Sequence, residues 1–85
     1  MTDYISSKEK AAMGLALIKE AILDHLTEYP DGLHNSDFAR DLGLHSEHEG
    51  GQPDYLTYSV LGLLMTEGRV TKVKGGARPH YVRIS

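Results

Sequence analysis

Apolar residues recur at Ala11, Leu15, Ile18, Ile22 and Leu26, a spacing that keeps them on one face of a helix. Ser6-Ser7-Lys8-Glu9 stands ahead of this run and predicts a capping box, with Ser6 at the N-cap and Glu9 reaching back from N3. Lys19, Glu20, Asp24 and Glu28 fall mostly off the stripe. Met13, Leu17 and Ala21 draw a second apolar line beside it, read either as further core or as the seam of a homodimer. Gly14 marks a kink or a close approach. The helix is expected to stop at Tyr29-Pro30-Asp31-Gly32, because the residue before proline disfavours helix and Asp-Gly is turn chemistry.

Leu33-His34 reads as a short extended piece. A second helix follows, capped by Asn35 or Ser36, with Asp37 in its first turn and Phe38, Ala39 and Leu42 as its apolar face. Gly43 is expected just past its end, where glycine tolerates a left-handed backbone. Residues 44–53 are polar and glycine-containing and predict a mobile loop. Pro53 suits the first turn of a third helix and Asp54 its positive end; Leu56, Val60, Leu63 and Leu64 form the predicted buried stripe. Gly62 inside this helix points to close packing, and Gly68 ends it as Gly43 ends the second. From 69 to 84 the chain turns to alternation, with Val70 and Val73 on one side of Gly75-Gly76-Ala77-Arg78-Pro79 and Tyr81, Arg83 and Ile84 on the other, which predicts a β-hairpin. Val82 breaks the alternation and leaves the register open. The expectation is one α+β domain over residues 1–85, with three helices, a small antiparallel sheet and disordered residues 1–5.

Charge changes the picture more than composition does. The chain has 85 residues, 40% apolar and 25% charged, as ordinary globular domains do. It has no Cys, so no disulfide framework or thiolate metal site is available. No apolar run approaches a membrane span and the first residues do not form a signal peptide, so a cytoplasmic protein without a membrane partner is expected. The net charge of −3 conceals a split. The last eighteen residues hold five of the nine Lys and Arg and none of the twelve acids, giving +5 after Glu67 and −8 before Gly68. Segregation of this kind concerns partners and steering. The competing reading is a strand edge guarded by cations against aggregation.

The order helix, short strand, helix, loop, helix, hairpin resembles the winged-helix (winged helix-turn-helix) family. The matching stretches are Asn35-Ser36-Asp37-Phe38-Ala39-Arg40-Asp41-Leu42-Gly43-Leu44 as helix and turn, and Asp54 through Val70, with Leu63-Leu64-Met65-Thr66-Glu67-Gly68-Arg69-Val70, as third helix into wing. The resemblance covers roughly residues 6–84 and is a pattern of elements. Within the family the chain is similar to modules attached to bacterial restriction-endonuclease-like proteins and to small bacterial regulators. The resemblance implies binding of double-stranded DNA, with a regulatory or targeting role such as transcription regulation. Gln52, Tyr55, Thr57, Tyr58 and Ser59 of the third helix would face the major groove. Arg69, Lys72, Lys74, Arg78 and His80 would meet phosphates from the wing, and Gly75 and Gly76 would let backbone approach them closely. Two features depart from the family: the loop between second and third helices is long and carries Glu47 and Glu49, and the third helix has no Lys or Arg between Pro53 and Glu67. These keep a protein-binding winged helix as the alternative.

No set of residues suggests an enzyme. Gly-x-Ser-x-Gly, the phosphate-binding Gly-x-x-x-x-Gly-Lys and a Cys nucleophile are missing. Pro53-Asp54 with Glu67-x-Arg69 superficially matches a metal-dependent nuclease pattern, but position 69 is Arg and helix stands where strands are required. His45-x-x-His48 with Glu47 and Glu49 lacks a second ligand pair and reads as a solvated loop. No metal and no cofactor are expected.

Overall fold

The computed structural model describes residues 5–46, 51, 53–76 and 78–85. They form α1 (Ser7–Thr27), α2 (Asn35–Asp41), α3 (Tyr55–Thr66), β1 (Val70–Val73) and β2 (His80–Arg83). The result is a small α+β domain with three helices and a two-stranded antiparallel sheet. No helix among the described residues is long and apolar enough to cross a membrane.

Helix α1 begins as its sequence dictates. Ser6 Oγ accepts the Glu9 N–H at 3.1 Å, and Glu9 Oε1 accepts the Ser6 N–H at 3.0 Å. The serine bonds hold the Glu9 carboxyl below its ordinary pKa. The helix runs through Gly14 without a break, and a Cβ at that residue would touch nothing within 4 Å, so neither a kink nor close packing explains the glycine. The apolar stripe meets the core only in its second half. Ile22, Leu23 and Leu26 are buried and Ile18 is half-buried, whereas Met13 is 52% and Leu17 63% exposed. The second line of apolar residues is therefore not core in this chain.

The turn after α1 is fixed by contact. Gly32 has φ +97°, and a Cβ there would come within 2.6 Å of the His80 ring and 2.7 Å of the Tyr81 carbonyl oxygen. The next residue, Leu33, exchanges two backbone hydrogen bonds with Tyr81, of 3.0 and 2.8 Å, and lays a single bridge beside β2. Helix α2 starts one residue earlier than predicted. Its N-cap is His34, whose N–H donates to Asp37 Oδ2 at 2.9 Å; Asn35 and Ser36 lie inside the helix. Both α2 and α3 end on the predicted glycines. Leu44 N–H returns to Ala39 O at 2.7 Å, and Arg69 N–H to Leu64 O at 2.9 Å, the bonding of a left-handed glycine cap.

Helix α3 buries Val60 and Leu64 and packs Leu56 as predicted, but its inner face is turned towards Thr57 and Leu61 and away from Leu63. Thr57, Val60, Leu61 and Leu64 are buried, Leu56 is half-buried, and Leu63 is 42% exposed. Leucines at 61, 63 and 64 satisfy two helical stripes equally well, and Thr57 carries a methyl group that the apolar pattern does not count. Packing chooses between them. Gly62 faces open space, so close packing does not account for it either.

The start of α3 is built by the chain before it. Asp54 is the N-cap, in the left-handed region at φ 54° and ψ 45°, and the helix begins at Tyr55 rather than Pro53. The Asp54 carboxylate turns backward and accepts the Ser46 N–H at 3.2 Å and the His45 Nδ1 hydrogen at 3.1 Å. Ser46 Oγ in return accepts the Leu56 N–H at 3.0 Å, satisfying a donor of the first turn that Asp54 leaves open. The two ends of the predicted loop are thus joined at Ser46 and Asp54. Residues 47–50, with the expected acids Glu47 and Glu49 and His48, lie outside the described residues, as do Gln52, Ala77 and residues 1–4.

In the sheet, Val70 pairs with Arg83, Lys72 with Tyr81 and Val73 with His80. Val70 and Tyr81 point into the core beside Ile22, Leu26, Phe38, Leu61 and Leu64. The six residues from Lys74 to Pro79 connect the strands, so the turn is longer than a bare Gly-Gly pair.

Candidate nucleic-acid interface

The starts of α2 and α3 and the outer half of the hairpin surround a cleft of 410 Å³. His34, Asn35 and Ser36 line it from α2, Asp54 and Tyr58 from α3, and Lys72, Arg78, Pro79 and Tyr81 from the hairpin. The register creates this assembly. Lys72 stands on the same sheet face as Val70 and Tyr81, but two residues further out, where the core ends and α3 passes. Its ammonium sits 5.8 Å from the Tyr58 ring centre and 5.6 Å from that of Tyr81. A cation between two aromatic faces gains roughly 0.5–1 kcal/mol per ring at an exposed site and is held in place without a carboxylate.

Arg78 reaches across the cleft, its guanidinium donating to Ser36 Oγ at 3.2 Å. Pro79 carries a carbonyl that can only accept, so the 2.9 Å contact with His34 requires the hydrogen on His34 Nδ1. These two bonds anchor the turn of the hairpin to α2. A second, shallower hollow of 220 Å³ lies on the turn itself, between Lys72, Lys74, Gly75, Gly76, Arg78 and Pro79. Three cations therefore gather along one edge. Among the described residues none of the three forms an ion pair with a carboxylate. The acid of the cleft, Asp54, is already occupied by Ser46 and His45.

The sequence-predicted contacts divide. Lys72, Lys74, Gly75, Gly76 and Arg78 come together. Tyr58 joins them, and Tyr55 and Ser59 lie on the same exposed side of α3. Thr57 does not: it is 0% exposed, and its hydroxyl donates to the Asp54 carbonyl at 3.1 Å, so it has no surface to offer a ligand. Arg69 does not join them either. It lines a separate cleft at the base of the hairpin, together with Lys19, Glu20, Asp24 and Arg83. His80 is half-buried against Gly32, its ring 6.2 Å from that of His34. Gln52 lies outside the described residues. Sequence reading missed Ser36 and Tyr81, which position Arg78 and Lys72, and Asp54, which lines the cleft; only Asp54, as an acid before a helix, carried any local signal.

The remaining clusters are electrostatic struts. His25 Nε2 meets Asp41 Oδ2 at 2.9 Å and fastens α2 to α1, while within α2 Arg40 holds Asp41 at 2.8 Å and Asp37 at 3.2 Å. The Arg40 hydrogen bond, followed by that from His25, keeps the Asp41 carboxyl below its ordinary pKa. Lys19 pairs with Glu67 between α1 and the end of α3. No group of three or more metal-ligating side chains occurs among the described residues. No family model, no curated protein and no solved structure matches the chain.

Proposed function

We propose that this domain is a winged helix that binds duplex DNA, chiefly through the hairpin acting as a basic wing on the phosphate backbone. The observation that carries this reading is the set of Lys72, Lys74 and Arg78 along one edge, unpaired with any described carboxylate, beside the exposed side of α3. Unpaired cations that meet phosphates supply affinity by releasing counterions from the duplex. The fold reading is supported by the element order and by the Leu33 bridge, which adds a short third rung on the free side of β2. Tyr55, Tyr58 and Ser59 would lie towards the groove and offer hydroxyls and ring faces, without the bidentate Arg–guanine contact that gives strong base discrimination. The expected activity is therefore affinity for duplex DNA with modest sequence preference, suited to a regulatory or targeting role.

The test is a salt titration of binding to random duplex DNA. The variant Lys72→Ala/Lys74→Ala/Arg78→Ala should lose retention at low salt, and the slope of log affinity against log salt should fall by about 2–3. An unchanged slope in a folded variant overturns the proposal. A second reading, a protein-binding winged helix, is favoured by one observation: the outer side of α3 exposes Tyr55, Tyr58 and Leu63 and carries no cation. Under that reading, substitutions at these three residues abolish capture of a protein partner while duplex affinity is unchanged.

A further inference from the structure

Residues 11–18, Ala-Ala-Met-Gly-Leu-Ala-Leu-Ile, are eight helical residues without a charge, and none of them is buried. A helix segment apolar on every side belongs in an interior. Here it projects from the domain, whose extents are 55 × 34 × 22 Å, and nothing described in the chain covers its outer side. That side has a definite pattern. Lys10, Met13, Leu17, Glu20 and Asp24 recur at spacings of three and four, the seam of a two-helix coil. The flanking residues Gly14, Ala16 and Ala21 are small, and at Gly14 no atom stands within 4 Å of where a Cβ would be, so a second helix can approach closely.

We propose that this seam pairs with the α1 helix of a second copy, antiparallel, about a two-fold axis that passes midway between Met13 and Leu17. Charge selects both the partner and its direction. In the antiparallel pair Met13 lies opposite Leu17 of the second copy, and Lys10 opposite its Glu20; the two-fold repeats both contacts. A parallel pair would set Lys10 against Lys10, Glu20 against Glu20 and Asp24 against Asp24. Met13 and Leu17, 52% and 63% exposed, form the dry centre. Lys10 and Glu20 have no ion-pair partner among the described residues; Glu20 also lines the cleft that holds Arg69 and Arg83, so the seam ends where that cleft begins. The seam from Lys10 to Glu20 is about 15 Å long, so the dimer is small and weak, with an expected Kd of roughly 10 µM to 1 mM. This pairing does not rest on the nucleic-acid reading and uses no residue of the cleft between α2, α3 and the hairpin.

Sedimentation equilibrium of the full chain over that concentration range tests it. The wild-type protein should pass from monomer to dimer. Leu17→Glu, a change at an exposed residue, should remain monomeric with the same helical circular dichroism. Lys10→Glu and Glu20→Lys should each weaken the dimer by about fivefold or more, because each sets like charges opposite one another at both ends. An equimolar mixture of these two variants, and the double variant Lys10→Glu/Glu20→Lys, should associate as the wild type does. A wild-type chain that is monomeric throughout, a dimer that survives Leu17→Glu, or single charge reversals without effect each overturns the proposal; a monomer would mean that something other than this chain covers the face.

Discussion

At the base of the hairpin, Arg83 gives its guanidinium to the Leu23 carbonyl at 3.2 Å and the Thr27 hydroxyl at 2.8 Å, and Arg69 lines a cleft with Glu20 and Asp24. At the tip, Lys72, Lys74 and Arg78 meet two phenol rings, one serine hydroxyl and no carboxylate among the described residues. The two ends are joined by only four rungs of sheet. The five cations look alike in sequence, and their difference comes from what lies beneath them. The base rests on the C-terminal half of α1, where the Leu23 carbonyl, the Thr27 hydroxyl and the carboxylates of Glu20 and Asp24 lie beside Arg83 and Arg69. The tip overhangs the starts of α2 and α3, whose positive ends give a cation nothing to neutralise it. A cation with its charge satisfied inside the fold contributes stability; one without remains available to an external anion.

The most damaging change should be Gly32→Ala, which removes the support common to both ends. The added Cβ would collide with the His80 ring and the Tyr81 backbone oxygen, at a backbone angle unfavourable for alanine, so a loss of about 3 kcal/mol or more is expected in urea unfolding. Next come changes that separate the ends. Arg83→Ala should cost about 1–3 kcal/mol of stability, from the loss of charged hydrogen bonds to α1. The salt slope of DNA binding should stay within about one unit of the wild type. The triple tip variant should do the opposite, with an unfolding midpoint near the wild type and the slope reduced. If Arg83→Ala lowers the slope as far as the triple variant does, the distinction between base and tip fails.

Smaller effects sharpen it. Gly62→Ala, on the outer side of α3 where nothing obstructs a methyl group, should stabilise by about 1 kcal/mol in thermal unfolding. That background lets tip variants be measured without partial unfolding. Asp41 supplies the counter-case of a cation that is fully matched. Its carboxyl is held below the ordinary value by Arg40 and then His25, so the stability it contributes is present above about pH 4 and is lost as pH falls through the lowered folded value. Stability curves of Asp41→Asn and wild type should therefore converge in acid and diverge towards neutral pH. No such acid-dependent difference should accompany the tip substitutions, which have no carboxylate to protonate.

Several features are legible locally, although the N-cap of α2 falls at His34 rather than Asn35 or Ser36. The Ser6–Glu9 capping box, the glycine ends of α2 and α3 and the hairpin around Gly75-Gly76 all depend on residues within a few positions of one another. The misreadings share another cause. Leu63 was assigned inward and Thr57 outward, because the leucine-rich α3 supports two stripes and only its neighbours choose one. The N-terminal apolar lines of α1 read as core or seam, because periodicity records that a face is apolar and not how far the domain extends to meet it. The start of α3 depends on Ser46, ten residues before the amide it satisfies.

For the hairpin the division is plainest. The amino-acid order alone determined that the cations are concentrated after Glu67, on a hairpin behind a glycine-capped helix, because charge and β-alternation are both written in neighbouring residues. Only the tertiary structure decided where each cation is held. Arg83 finds Leu23 across 60 residues and Arg78 finds Ser36 across 42. Contacts over such distances follow from how the helices stack on the sheet, and stacking is set by the shape of the whole core rather than by any local spacing.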